Sequence, residues 1–540
     1  MRLFAALPAA LVLASPVFAQ GGGALPPVPA PPQNPITAEK AVLGKILFWD
    51  EQLSSDDTMS CGTCHLPQSN GADPRFGTHP GFDGIFGTID DPLASPGVVH
   101  LDGNRHFDPV PAFGLDVQVT GRTAPAAFTS QWSPEQFWDG RAGSRFVEPE
   151  SGRLSIPAGG SLESQAVGPI TSTVEMGHDG RTWAEVAQKL NAARPRALAP
   201  NLPPDVLAAL AQDPTYPALF ARAFGSTQIT AERIGFALAT YERTLVADQT
   251  PWDRHHQGDP TAMTMSQRQG FQRFRQHQCD ACHTPPLFTD HSYRVLGVRP
   301  WLEDAGRMDV TQNFADRGAF KVPSLRNTGL KPSFMHNGSM TNLVQVLDFY
   351  DHQIPSFPEN QDPLYAAMSI PAADKTLMLD FLQNALTDPR VAAGLPPFDR
   401  PTLRSELQPN TIYGAGSPGG AAIPPRLMAH QPAVVGGLDF RIGVRDALGG
   451  TTALLAVSPL PATNSGLPVP IHVDLPASML FTASTAGAGA ADGYATFPLP
   501  LPNDTRLQGA VIYAQSFVLD PAAASGWGIA ASDAVSIPVF

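Results

Sequence analysis

Cysteine is scarce in this chain: four occur among 540 residues. A disulfide framework holding the fold together is therefore not expected. Charge is thin too, with Asp, Glu, Lys and Arg at 16% and a net charge of −14. A chain without a basic surplus is a poor match to nucleic acid, so that class of partner is set aside. Long apolar runs are also missing. Leu3–Val17 is predominantly apolar, but it is too short for a membrane span and no second such run follows it. Proline and glycine, in contrast, are plentiful at 56 and 48 residues, which predicts many turns and irregular connections. At this length several domains are expected.

The cysteines fall in two short stretches, Cys61-Gly-Thr-Cys64-His65 and Cys279-Asp-Ala-Cys282-His283. C-x-x-C followed directly by His is the signature of c-type haem attachment: the thiols add to haem vinyl groups and the imidazole binds iron. A redox dithiol or half a zinc site shares the C-x-x-C spacing. Here His follows in both copies, and no further cysteine exists to complete a zinc cluster. The sequence therefore predicts two covalent haems, held by Cys61, Cys64, Cys279 and Cys282, with His65 and His283 as axial ligands.

The N-terminus agrees with that chemistry. Met1-Arg2 is a basic start, an apolar stretch follows, and Val17-Phe18-Ala19 is a cleavage site of suitable residues. Residues 1–19 read as a signal peptide, which predicts a periplasmic or otherwise exported protein. Residues 20–36, rich in Gly, Pro and Ala, read as a flexible linker.

Helical patterning is expected at about 37–48, 183–190, 205–210, 231–248, 266–278, 343–350 and 373–384. Residues 66–125 carry little periodicity and read as ordered loop around a cofactor. After about residue 400 the pattern changes to short alternating apolar stretches between Gly, Pro, Asn and Asp turns, as in Ile471-His-Val-Asp-Leu475. This is the pattern of an antiparallel β-sandwich. The expected fold is multidomain: two mainly α cytochrome c-type haem domains at 37–260 and 261–400, a linker at 401–420, and an all-β sandwich-like domain at 421–540.

Beyond the haem motifs, the chain contains Leu43-Gly-Lys-Ile-Leu-Phe-Trp-Asp50, Phe137-Trp-Asp-Gly-Arg-Ala142, Gln165-Ala-Val-Gly-Pro-Ile170, Val174-Glu-Met176, Phe320-Lys-Val-Pro-Ser-Leu-Arg-Asn327 and Phe334-Met-His-Asn-Gly338. In this order, from about Glu39 to Asn384, the set resembles the bacterial di-haem cytochrome c peroxidase family, which includes the MauG-type enzymes. The resemblance implies that peroxide reacts at the His65 haem, with Glu175 as acid–base and Gln165 as positioner. Cleaving an O–O bond requires such a proton-carrying group. Trp138 matches the family tryptophan between the haems, while Asp139 and Arg141 read as fixing the local turn.

The family position for a sixth ligand to the second haem falls on Tyr350, as in MauG-type members, where typical peroxidases use methionine. Met335 and Met340 are rival ligands. The family also holds calcium between its haems. The matching positions are Thr123, in place of asparagine, and the carbonyls of Lys331 and Ser333. Where typical members carry a distal histidine the chain has Gly81, and the nearby His79 reads as a loop histidine.

The resemblance thus implies an exported di-haem peroxidase that reduces hydrogen peroxide with electrons from a small donor, a cytochrome c or a cupredoxin. Tyr350 favours a second reading, a MauG-like enzyme that oxidises residues of a protein substrate through high-valent iron. A non-enzymatic electron carrier is the third, and Glu175 with Gln165 argues against it, since a carrier has no use for a distal acid.

Overall fold

The computed structural model describes residues 24–366, 368–407, 409–462 and 467–540. The expected signal peptide lies outside them. Among the described residues no helix is long and apolar enough to cross a membrane.

The first helix, Ala38–Trp49, begins where the Thr37 side chain accepts a hydrogen bond from Lys40 N at 3.3 Å. Leu43, Ile46, Leu47, Phe48 and Trp49 are all buried, each contributing up to about 1.5–3 kcal/mol of hydrophobic stabilisation. The helix crosses Ala231–Thr244 backbone to backbone at Gly44, where a Cβ would stand 2.0 Å from the Ala237 carbonyl oxygen. Only glycine permits that approach. Tyr216, Phe220, Ile234 and Leu238 complete the core around this pair.

The second haem motif has a matching arrangement. Helix Met265–Gln276 leads into it and crosses Ala372–Asp380 at Gly270, where a Cβ would lie 2.1 Å from the Leu377 carbonyl oxygen. Trp252, Phe274, Phe288, Leu347, Met378 and Phe381 form this second core. In both halves, then, a glycine-tight helix crossing fixes the segment that ends in C-x-x-C-H.

Beyond residue 410 the chain is β-structure. Five strands pair antiparallel in the order Met479–Ser484, Thr452–Ser458, Val511–Leu519, Ile529–Pro538, Thr411–Tyr413. Three more, Arg426–Met428, Arg441–Ala447 and Gly493–Pro498, form a second antiparallel sheet. Ile442, Val444 and Phe497 of the smaller sheet share one core with Leu455, Val518, Val535 and Ile537 of the larger, so the sheets face each other as a sandwich. The sandwich is seated on the haem-motif half. Phe107 packs over Gly443 and donates its N–H to Thr496 Oγ1 at 2.9 Å. The Glu51 carboxylate accepts from Arg404 N at 2.8 Å and Ser405 N at 2.9 Å.

Several sequence expectations require correction. The described part of 20–36 is not a free tether. Asn34 is fully buried and bonds Glu163, the Pro29 carbonyl accepts from Arg243 Nε, and the Pro26 carbonyl accepts from Trp132 Nε1. Proline supplies acceptors here without donors to satisfy, which suits a strap across a polar surface. The 401–420 linker contains helix Arg404–Leu407 and the edge strand Thr411–Tyr413. The boundary at residue 400 is also not a boundary in packing: Val391, Phe398 and Leu403 belong to the first core, with Phe398 5.2 Å from Phe128. Helix 231–248 ends at Thr244, because Thr250 with Pro251 starts a separate helix, Pro251–His256. Helix Tyr216–Phe224 was not foreseen in the sequence.

Candidate active site

Both C-x-x-C-H motifs fold as a single tight turn. In the first, Ser60 N donates to Thr63 Oγ1 at 2.9 Å and His65 N closes onto the Cys61 carbonyl at 3.1 Å. Gly62 lies on the Trp49 ring, where a Cβ would be 2.2 Å from Cε3, so this position of the motif admits glycine alone without displacement. In the second, His283 N closes onto the Cys279 carbonyl at 2.9 Å.

Each histidine has its Nδ1 engaged. His65 Nδ1 lies 2.7 Å from the Gly71 carbonyl oxygen, and His283 Nδ1 lies 3.1 Å from that of Pro323 and 3.2 Å from that of Phe288. A carbonyl can only accept, so each ring carries its proton on Nδ1 and leaves Nε2 free as a ligand. Burial lowers both imidazole pKa values and keeps the rings neutral. Gly71 has φ +64, which aims its carbonyl at His65. The four cysteines form no disulfide. Burial pushes the Cys61 and Cys279 thiols up to about 12. Such sites disfavour a thiolate, as a redox pair would require, and suit an uncharged thioether.

A cavity of ≈ 610 Å³ opens over the first motif and is bordered by Cys61, Cys64, His65, Gln165, Glu175 and Trp138. Glu175 and Gln165 thus share one space with His65. Burial raises the Glu175 pKa from the ordinary carboxylate range. Its backbone is fixed by Ser172, whose carbonyl and Oγ both accept from Glu175 N at 3.3 Å. Strand Pro96–Val99 presses on the same segment: Val98 N donates to the Val174 carbonyl at 3.0 Å, and a Cβ on Gly97 would lie 1.8 Å from that oxygen. His79 borders the cavity and packs edge-on to Phe113, with ring centroids 5.8 Å apart.

A second, narrower cavity of ≈ 190 Å³ is bordered by Cys279, Cys282, His283 and Tyr350. Burial raises the Tyr350 phenol pKa from its ordinary value. Met335 borders this cavity and Met340 does not; Met368 and Met378, which the sequence did not single out, border it as well.

Trp138 borders both cavities. Its indole N–H donates to the Thr123 carbonyl at 2.9 Å, and its own carbonyl accepts from Lys321 N at 2.8 Å. Arg141 folds over the Phe137 ring at 3.6 Å and bonds Asp139, closing the turn that holds Trp138. Phe137 and Met335, on the walls of the two cavities, hold left-handed φ values of +67 and +66. Strain of about 1–3 kcal/mol per such residue persists only where surrounding structure enforces it.

Two side-chain groups, the Glu242 carboxyl and the Lys331 amine, were not visible in the sequence as part of the site. Glu242 borders the first cavity with a buried, unpartnered Oε2, and burial raises its pKa to about 8. Lys331 has its amine pushed down to about 8 by burial, beside the second cavity. Nothing in a pattern search separates a buried Glu on a helix from a solvated one, since burial there is decided by tertiary packing.

The residues present fit haem at both motifs: neutral thiols, neutral imidazoles with free Nε2, and an adjoining cavity. They fit calcium poorly. The Thr123 hydroxyl donates to the Met335 carbonyl at 3.1 Å, and none of the three expected positions carries an acidic side chain. Among the described residues no group of three or more His, Cys, Asp or Glu could hold a metal ion.

The chain is similar to known di-haem cytochrome c peroxidases and MauG proteins. The family model for di-haem cytochrome c peroxidase matches residues 38–261. The methylamine utilization protein MauG of Methylophilus methylotrophus is 31% identical over 326 residues, 60% of this chain and 75% of that protein. Cytochrome c551 peroxidase of Nitrosomonas europaea is 30% identical over 319 residues, 58% of this chain and 73% of that protein. A solved structure of a MauG-like protein associated with microbial copper homeostasis is 22% identical, with a TM-score of 0.49 over 71% of this chain and 98% of that one.

Proposed function

Because the chain belongs to the di-haem cytochrome c peroxidase family that includes MauG, we propose that it reduces hydrogen peroxide in the cavity over His65. Electrons would come from a small redox protein by way of the second motif. The observation that carries the reading is the sharing of one cavity by His65, Gln165 and Glu175, with Trp138 bordering both this cavity and that of Tyr350.

Haem held by the two motifs would supply iron that binds peroxide at one site and relays electrons at the other. This chain's residues do the rest. Gln165 orients the peroxide by hydrogen bonding. The Glu175 carboxylate takes a proton from one peroxide oxygen and returns it to the other as water leaves. Burial raises the Glu175 pKa, which strengthens the carboxylate as a proton acceptor. Trp138 is a short apolar bridge for charge between the cavities. Each peroxide consumes two electrons and two protons and yields two waters.

A second reading rests on Tyr350. A phenol oxygen in the second cavity is a hard, anionic donor once deprotonated and would stabilise oxidised iron. Oxidising equivalents held there would be directed at residues of a protein partner. The test is purified diferric holoprotein given peroxide and then reduced cytochrome c. Rapid oxidation of the cytochrome supports the peroxidase; slow turnover with oxidation of a partner protein supports the second reading. No reaction with peroxide overturns both.

A further inference from the structure

A cavity of ≈ 610 Å³ lies away from both haem motifs, in the seam between the β-sandwich and the haem-motif half. Its walls come from helix Trp183–Ala192, the 176–181 loop region and the segment leading into strand Arg441–Ala447. Its size is that of a small-molecule site.

Most of the charges facing it are already matched. Lys189 Nζ lies 2.7 Å from Asp57 Oδ1 and donates to the Ser54 carbonyl at 2.7 Å. Arg105 pairs with Asp439 and stands 3.5 Å from Glu185. Arg181 spends its guanidinium on the carbonyls of Leu53, Ile170 and Met176. Arg441 differs. Its side chain belongs to a residue only 4% exposed, and its Nη1 is buried without a partner among the described residues. Its charged neighbours are Asp56, Asp57 and Asp102, none of them within ion-pairing distance among the described residues, and Arg105, of the same sign. Leaving a guanidinium buried and unpaired is costly, and an oxyanion is the complement such a fork requires.

We propose that this seam is a binding site for a small oxyanion, a phosphate or a carboxylate-bearing molecule, with Arg441 as its principal contact and Arg194 at its open rim. The site joins two parts of the chain: Arg441 belongs to the sandwich, while Arg181 and Ser55 bind the carbonyl of Met176, the residue after Glu175. The cavity therefore adjoins the segment that carries Glu175, and a ligand there would give the β-sandwich a role at the seam.

The test uses the full-length holoprotein and inorganic phosphate, followed by calorimetric titration and thermal unfolding. Wild type is expected to bind saturably and to gain thermal stability with phosphate. Arg441→Lys keeps the charge but loses the fork, and should bind at least about tenfold more weakly. Arg441→Gln should lose binding, yet unfold in phosphate-free buffer at or above the wild-type temperature because an unpaired buried charge is gone. Equal phosphate binding by wild type and Arg441→Gln would overturn the proposal, as would the absence of saturable binding to wild type. Intact haem absorbance in each variant separates lost binding from lost folding.

Discussion

Replacing Glu175 by Gln isolates the proton-handling role at almost constant shape. The backbone of residue 175 is fixed by Ser172 and by the Gly97 contact with Val174, and the Ser172 contact to the carboxyl is one that a Gln amide can also make. The variant therefore keeps the cavity and loses only the group that can exchange a proton. General acid–base catalysis by one positioned side chain is worth about 10²–10⁴-fold, or about 3–5 kcal/mol of barrier. Burial raises the Glu175 pKa, so the wild-type rate should fall as pH drops through that raised value and the base form is lost. Gln has no such inflection. The assay is stopped-flow mixing of holoprotein with peroxide, followed at the haem absorbance, with the second-order rate constant taken from its concentration dependence across pH. A loss smaller than about threefold, or an unchanged pH inflection in the variant, would refute the assignment of Glu175 as the acid–base group.

Other predictions concern separate parts of the structure. Tyr350→Met should raise the reduction potential of the second haem in a spectroelectrochemical titration, because a thioether replaces a hard anionic donor; an unchanged potential removes Tyr350 from the ligand set. Trp138→Phe should slow electron transfer between the haems while leaving the initial reaction with peroxide intact, seen as a lag between two absorbance phases. Glu242 has a folded-state pKa of about 8 against an ordinary 4.5, so the unfolded chain loses that proton first and stability falls as pH rises from 4.5 towards 8. The full penalty is of order 5 kcal/mol above that window. Glu242→Gln should therefore stabilise the protein in chemical denaturation at about pH 9 and change little at about pH 4. Gly97→Ala should displace Val174 and depress the peroxide reaction with little loss of haem content, since its Cβ would meet the Val174 carbonyl rather than either motif.

The parts of this protein that were readable in sequence are those in which local chemistry dictates position. The C-x-x-C-H turns, helix Leu343–Tyr350 and the change to β-structure after residue 410 follow from spacing and periodicity. Gln165, Glu175 and Trp138 meet around one cavity, and that placement was implied by the order of motifs, not by any one residue. What could not be read is what tertiary packing decides. The Pro-rich stretch 24–36 looks like a tether until Asn34 finds Glu163 and Arg243 finds Pro29 across the fold. Phe398 and Leu403 return to the first core although the chain has long left it. Helix Tyr216–Phe224 did have local signals, a Thr215 cap and Gly225 at φ +73, which a weak apolar pattern masked. The burial of Glu242 and Arg441 has no local signature, because each is covered by residues distant in sequence.

The central claim is that two haem sites exist and that only the one facing Glu175 is open to a small ligand. Cyanide titration of the diferric holoprotein, counted against its haem content, tests this most directly. The account predicts one cyanide bound per two haems, with an affinity altered by Glu175→Gln, and a second cyanide admitted when Tyr350→Phe uncaps the other site. Binding of no cyanide, or a single site whose affinity ignores Glu175, would contradict it.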